Sequence, residues 1–250
     1  MKSIVIIPTY NEAENIRLLV ADILSLPVPV DVVVVDDNSP DGTGQIAQDL
    51  ATIYPTVHAI HRPSKLGLGT AYKAGFHYGL EHGYERILTM DADFSHPPGD
   101  IPAMIELSRT KADLVIGSRY VHGGGTHGCT LPRKMLSWGA NAFAKTVLGL
   151  QAMDCTAGFR CYRRQVLESI NLETILSNGY SFLIEMLYRC QRRGWRVGEV
   201  PILFENRRRG ASKISRQEIL KAMQTVLHLA KERVLLSDAD AYAAPESGAS

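Results

Sequence analysis

Four cysteines in 250 residues are too few for a disulfide framework, and their spacing excludes more. Cys129, Cys155, Cys161 and Cys190 form no C-x-x-C pair and no Cys/His cluster of zinc type, so idle thiols in a reducing compartment are expected. Charge of one sign is also missing. The 27 basic and 26 acidic residues leave a net charge of +1, which argues against duplex nucleic acid held through general electrostatics. No stretch reaches the roughly 18 uncharged apolar residues of a membrane span. The N-terminal Met-Lys-Ser-Ile-Val-Ile-Ile-Pro has a short apolar run ended by a proline, which reads as a buried first strand rather than a signal peptide. A cytosolic protein is expected. Residues 237–250 (SDADAYAAPESGAS) are small, polar and acidic, and read as a disordered tail.

The rest of the composition, 45% hydrophobic and 21% charged, is that of a globular chain able to bury roughly 70–75% of its extended surface. Short β-branched runs at 3–7, 31–35, 57–60, 85–90 and 113–117 read as strands, apolar on both faces as in a parallel sheet. Helical patterns near 12–25, 42–53, 68–82 and 99–109 lie between them, the first with Asn11 as cap and Glu14 three positions on. Repeated β-α units imply an open, mostly parallel α/β sheet, which binds ligands at the carboxyl ends of its strands.

Polar motifs fall at those ends. Strand one runs into Pro8-Thr9-Tyr10-Asn11-Glu12, either a ligand edge or an ordinary strand-to-helix turn. Strand two runs into Asp36-Asp37-Asn38-Ser39-Pro40-Asp41-Gly42, where one carboxylate can cap a turn and the other accept from a ribose or base. Gly42-Thr43-Gly44-Gln45-Ile46-Ala47 imitates a dinucleotide loop, but residues 36–41 separate it from its strand and His-Arg-Pro-Ser-Lys stands where the acidic partner belongs. Lys65-Leu66-Gly67-Leu68-Gly69-Thr70 opens a helix with a glycine-rich turn and lacks the ending of a Walker A loop. Asp91-Ala92-Asp93 ends a buried strand. If the chain stays extended, both carboxylates project to one side and suit a hard divalent cation on a diphosphate. Ser95-His96-Pro97-Pro98 then forces a turn. Arg119, after Gly117-Ser118, points toward the same edge and can face phosphate, and the glycine-rich 121–128 reads as a mobile loop over a substrate.

Residues 131–150 carry an apolar stripe of Leu131, Met135, Trp138, Ala142, Phe143, Val147 and Leu150, which suits a core or, with Arg133 and Lys134, a membrane surface. A second stripe runs through Ile219, Met223, Val226, Leu227, Ala230 and Val234. Residues 189–216, with an apparent strand at 196–204, hold nine basic and two acidic residues, a solvated or nucleic-acid-binding face or a loop that folds over a polyanion.

Together, PTYNE, VVVDDNSPDGT, DAD-F-S-H-P-P, GSRY, DCTAGFRCYRR, GYSFLIEML and RRRGASK resemble, in order across residues 1–215, the dolichyl-phosphate or polyprenyl-phosphate mannose synthases, inverting glycosyltransferases of the GT-A fold. The resemblance implies a GT-A domain over 1–215, an amphipathic helix over 216–236, and mannose transfer from GDP-mannose to a polyprenyl phosphate with release of GDP. It assigns the nucleoside to Pro8, Tyr10, Glu12, Val35 and Asp37, and the diphosphate and a divalent metal (Mg2+ or Mn2+) to Asp91, Ala92 and Asp93. Ser95 stands where some relatives place another metal ligand. Arg119, Arg207 and Lys213 would contact phosphate, and Asp154 and Arg160 lie in a segment facing the site. Some relatives continue into transmembrane helices; this chain resembles the short type, peripheral on the cytoplasmic face of a membrane or on a membrane-embedded partner. Alternatives are a polyprenyl-phosphate transferase using another donor such as UDP-glucose, and a non-catalytic nucleotide or nucleic-acid binder.

Overall fold

Val32–Val35 are all fully buried, as expected of a strand covered on both faces. The computed structural model describes residues 2–175, 177–206 and 216–235. Its elements run β1 (Ser3–Thr9), α1 (Ile16–Leu24), β2 (Asp31–Asp36), α2 (Thr43–Ile53), β3 (Val57–His61), α3 (Leu68–Glu81), β4 (Arg86–Thr89), α4 (Ile101–Thr110) and β5 (Leu114–Ser118). Then follow β6 (Gly125–His127), α5 (Leu131–Leu148), β7 (Arg160–Arg163), α6 (Arg164–Ser169), α7 (Tyr180–Arg192), β8 (Val197–Pro201), β9 (Leu203–Glu205) and α8 (Arg216–Leu235).

Seven strands form one sheet in the order β3-β2-β1-β4-β7-β5-β8, and β6 and β9 pair separately. The pleat sends alternate side chains to two cores. Ile4 and Ile6 face residues of α3, α5, α7 and α8, whereas Val5 and Ile7 face α1, α2 and α4. β7 is antiparallel to both its neighbours, and every other strand of the sheet runs one way. The reversal matters for the site. Residues that precede β7 arrive at the edge where β4 and β5 end, so 154–158 meets the segments that follow those strands.

The first helix begins at Ile16, not at 12, and Asn11 does not cap it; Asn11 adopts a left-handed φ of 60°. The amides expected to enter that helix are taken by side chains of the β2–α2 loop. Asn11 N donates to Ser39 Oγ (3.0 Å), Glu12 N to Thr43 Oγ1 (2.9 Å) and Ala13 N to Asp41 Oδ2 (3.0 Å). The glycine pattern in that loop serves packing. Gly42 has a φ of 89°, and a Cβ on Gly44 would sit 2.8 Å from Asp36 Oδ2. The single strand expected at 196–204 is split, because Ile202 turns into the core and Ile202 N donates to Ser118 O (3.0 Å).

The α5 stripe divides along the helix. Ala144 and Leu148 are core, while Leu131, Met135 and Trp138 are 70%, 65% and 64% exposed. On α8, Val226 and Leu229 are buried and Met223 and Leu227 are exposed. Arg207, Lys213 and the 237–250 tail lie outside the described residues. Cys155, Cys161 and Cys190 are free and buried, and burial pushes all three thiols up to about 12.

Asp113 staples the opposite edge. It accepts from Arg196 N and Nε (both 3.0 Å) and pairs with Arg163 Nη1 (3.0 Å), joining the segments around β5, β7 and β8. Burial alone would raise its carboxyl; the hydrogen bonds and charge of Arg196, with the charge of Arg163, outweigh it and leave a net lowering. A carboxyl lowered in the folded state contributes stability above the unfolded value near 3.9, and that contribution fades as pH falls through the folded value. Asp113→Asn is therefore expected to be less stable than wild type at neutral pH. In urea titrations across pH, the gap should narrow below about pH 4. A gap that stays constant to pH 2.5 would remove Asp113 from the acid response.

Candidate active site

The segments after β1, β2, β4 and β5, with the one that precedes β7, carry the polar groups. After β1 and β2, Asp36 and Asp37 have separate tasks. Asp36 accepts from Thr9 Oγ1 (2.9 Å) and Ser39 N (3.0 Å), which closes its own turn. Asp37 accepts from Arg62 Nη1 (2.6 Å), Leu66 N (3.1 Å) and Gly67 N (3.0 Å), fixing the glycine-rich turn before α3. Lys65 Nζ stands 4.0 Å over the Tyr10 ring, so this turn packs against Tyr10. Pro8 and Val35 are paired positions on β1 and β2. The Glu12 carboxylate accepts from Asn15 Nδ2 at 2.8 Å.

After β4 the chain does not stay extended. It turns at Asp91–Ser95, with Phe94 at a left-handed φ of 59°. Asp93 is buried and accepts from Ser95 N (3.1 Å) and Ser95 Oγ. Asp91 accepts from the Tyr72 hydroxyl at 3.2 Å. Burial and the Asp91 charge push that phenol well up from its ordinary value, so it remains a donor. Ala92 turns its methyl into the core, which leaves only its backbone for a ligand. His96 Nδ1 accepts from Asp91 N (3.3 Å), and burial holds the imidazole below its ordinary pKa against the pull of Asp91 and Asp93.

After β5, Arg119 makes a bidentate pair with Asp154, Nε to Oδ2 at 2.7 Å and Nη2 to Oδ1 at 2.8 Å. Asp154 has no exposure and also accepts from Arg119 N, Thr156 N and Ala157 N (3.1–3.3 Å). Burial would raise its carboxyl, but the hydrogen bonds and charge of Arg119 bring it below its usual value. Glu199 and Asn141 hold this loop from outside. Glu199 accepts from Met153 N (2.8 Å) and Asp154 N (3.0 Å), and Asn141 bonds Met153 O (2.6 Å) and Cys155 N (2.7 Å).

Asp91, Asp93, Ser95 and Arg119 line one cavity of about 520 Å³ that continues between α5 and α8 along Met135 and Met223. Tyr10, Glu12 and Asp37 occupy neighbouring strand ends outside its lining. Among the described residues no three His, Cys, Asp or Glu side chains cluster as a metal cage. Two carboxylates and a hydroxyl beside open cavity are nevertheless a hard oxygen set of the kind that holds Mg2+ or Mn2+ jointly with substrate phosphates.

A family model described as glycosyl transferase family 2 matches residues 4–170. The chain is a family 2 glycosyltransferase. An undecaprenyl-phosphate mannosyltransferase of Micrococcus luteus is 48% identical over 215 residues, 86% of this chain and 88% of that protein. A polyprenol monophosphomannose synthase of Mycolicibacterium smegmatis is 47% identical over 223 residues, 89% and 84% of the two chains. Among solved structures, mannosyl-3-phosphoglycerate synthase from Rubrobacter xylanophilus superposes with a TM-score of 0.63 at 15% identity, covering 100% of this chain and 79% of its own. A mannosyltransferase from Pyrobaculum calidifontis, solved with GDP-Man and Mn2+, gives 0.55 at 17% identity, with 96% and 77% covered. These two share the GT-A fold.

The segment that holds Asp154 and Arg160 faces the cavity through Thr156, Ala157 and Gly158, and Arg160 itself points away from it. Arg160 is fully buried in this glycosyltransferase, donating to Ala157 O (2.8 Å), Leu183 O (2.7 Å) and Cys155 O (3.0 Å), and lies beneath the loop rather than along the cavity. Tyr72 and His96 are the groups that sequence reasoning passes over. An aromatic inside a helix and a histidine before two prolines carry no signal of a neighbour 19 or five residues away.

Removing one member of a buried ion pair leaves the other uncompensated and is strongly destabilising, on the order of 3 kcal/mol. Arg119→Met and Asp154→Asn should each lose about that much in urea unfolding, and the double variant less than their sum. Additive losses would mean that the two side chains act independently. Activity lost in Arg119→Met bears on ligand binding only if its stability is measured beside it.

Proposed function

We propose that this glycosyltransferase transfers mannose from GDP-mannose to a polyprenyl phosphate, inverting the anomeric carbon and releasing GDP. The carrying observation is the form of the cavity, in which carboxylates and an arginine at the strand ends open into an apolar channel between α5 and α8. That shape suits an acceptor with an anionic head and a hydrocarbon tail. The relatives at 48% and 47% identity, named for mannosyl transfer to such lipids, support the same reading. The Pyrobaculum calidifontis mannosyltransferase, solved with GDP-Man and Mn2+, supports the donor and a divalent metal.

A phosphate monoester has a second pKa near 6 and reaches the site already ionised, so no residue has to take its proton. The chain's task is to bring two polyanions together. Tyr10, Glu12, Asp37, Pro8 and Val35 hold the nucleoside at the ends of β1 and β2. Asp91 and Asp93, with Ser95 beside them, hold a divalent metal, whose chemistry when bound is to neutralise charge on the leaving diphosphate. Arg119, fixed in direction by Asp154, orients the acceptor phosphate for in-line attack. Arg207 and Lys213 serve the same end from the basic segment. Residues 1–215 form the transferase domain, and the helix beyond it covers the lipid.

The deciding assay combines the purified protein, radiolabelled GDP-mannose and polyprenyl phosphate in detergent with Mg2+, Mn2+ or EDTA. Metal-dependent counts in the organic phase are expected, falling by at least about 100-fold in Asp93→Ala. Labelling from UDP-glucose but not GDP-mannose would reassign the donor.

No described helix is long and apolar enough to cross a membrane. The exposed Leu131, Met135 and Trp138, with Lys134 between them, instead suit peripheral contact with an anionic bilayer or a membrane-embedded partner. Leu131→Ser with Trp138→Ser should lower co-sedimentation with anionic vesicles several-fold. Undiminished co-sedimentation would take this surface out of membrane binding.

A further inference from the structure

His96 is 2% exposed, in the turn that follows Asp91 and Asp93. Its ring is held on three sides. It stacks on Phe159 with centroids 5.3 Å apart, meets the edge of Phe204 at 5.6 Å, and accepts through Nδ1 from Asp91 N at 3.3 Å. A backbone amide can only donate. Nδ1 therefore carries no proton, and the single proton of the neutral ring is on Nε2. Nε2 has no hydrogen-bond partner among the described residues, yet the sealed side-chain atoms without partners there are Arg86 Nε and Ser108 Oγ only. His96 lines the cavity, and Nε2 is the one polar atom of its ring that Asp91 N does not occupy.

An N–H fixed in this way cannot ligate a metal or act as a base; it can only donate. Once a ligand displaces water from the cavity, the donor needs an acceptor on that ligand or remains unsatisfied. The cavity is lined by the Asp91 and Asp93 carboxylates and by Arg119, and the oxygen-rich groups suited to that lining, with a cation on the carboxylates, are phosphates. A neutral donor adds a hydrogen bond to such an oxygen from a ring already anchored to the Asp91 amide, so it also ties the ligand to the turn that positions Asp91.

We propose that the His96 Nε2–H is a phosphate-binding group, donating to an oxygen of the donor diphosphate or of the acceptor monophosphate. This rests on the transfer reading above.

Two variants separate this role from a purely structural one. In His96→Asn, the amide oxygen replaces Nδ1 toward Asp91 N and no donor reaches the Nε2 position. In His96→Gln, the amide nitrogen replaces Nε2 and the bond to Asp91 N is lost. Binding through Nε2 predicts a loss of about 10- to 100-fold in kcat/KM for His96→Asn, measured well below its thermal midpoint, and a clear recovery in His96→Gln. A structural role predicts the reverse order, which would overturn the proposal. Calorimetric titration with GDP and the KM for polyprenyl phosphate then assign the oxygen. Weaker GDP binding in His96→Asn points to the diphosphate, and a raised lipid KM with unchanged GDP binding to the acceptor. Neither changing would also overturn it. Imidazole 15N spectra of the wild type give a readout independent of the variants: the Nε2–H resonance should be present and should move on adding GDP or the lipid phosphate. A resonance unmoved by both would count against the proposal. Wild-type protein that transfers nothing and binds no GDP would fail the transfer reading itself, whereas active wild type with fully active His96→Asn fails this inference alone.

Discussion

One buried carboxylate holds the candidate site together. Asp154 has no contact with solvent and takes hydrogen bonds from both arms of the Arg119 fork and from three backbone amides. Such a group is stable in a protein interior only when its charge is compensated and its lone pairs are filled. Meeting that condition determines the path of the loop before β7 and the direction of the guanidinium that follows β5. The loop is in turn fixed from behind by Arg160 on main-chain carbonyls, and from outside by Glu199 and Asn141.

The pair becomes possible through the direction of one strand. In a fully parallel sheet the segment preceding a strand lies at the far edge from the ligand. β7 runs antiparallel between β4 and β5, so 154–158 enters at the ligand edge, between the Asp91 turn and Arg119. The same reversal sets Gly158 against Asp91, where a Cβ would stand 3.4 Å from the carboxylate and 3.3 Å from the Tyr72 hydroxyl. Strand direction, turn geometry and charge compensation are here one arrangement.

The apolar surface follows from a different balance. Residues of α5 near Ala144 and Leu148 bury against the sheet, and the first turns of the helix project past it, exposed alongside the α8 side chains Met223 and Leu227. A long amphipathic helix thus belongs to the core at one end and to the exposed wall of the cavity at the other. That explains why its stripe reads equally well as either from spacing alone.

The positions of the core strands and the alternation with helices follow from the sequence, because β-branched runs bounded by turn residues have few other solutions. The family could also be read there, from motifs in the right order. Strand ends carried Asp91, Asp93 and Arg119 to one edge for the same reason. Other features depended on residues far apart in the chain: the start of α1, whose amides go to Ser39, Asp41 and Thr43; the turn at Phe94; and the split between β8 and β9. The partnership of Arg119 with Asp154, the Tyr72 and His96 contacts to Asp91, and the burial of Arg160 were decided only by the tertiary structure. A local pattern records which face a residue prefers, whereas a hydrogen-bond partner is chosen by what the fold brings within 3 Å.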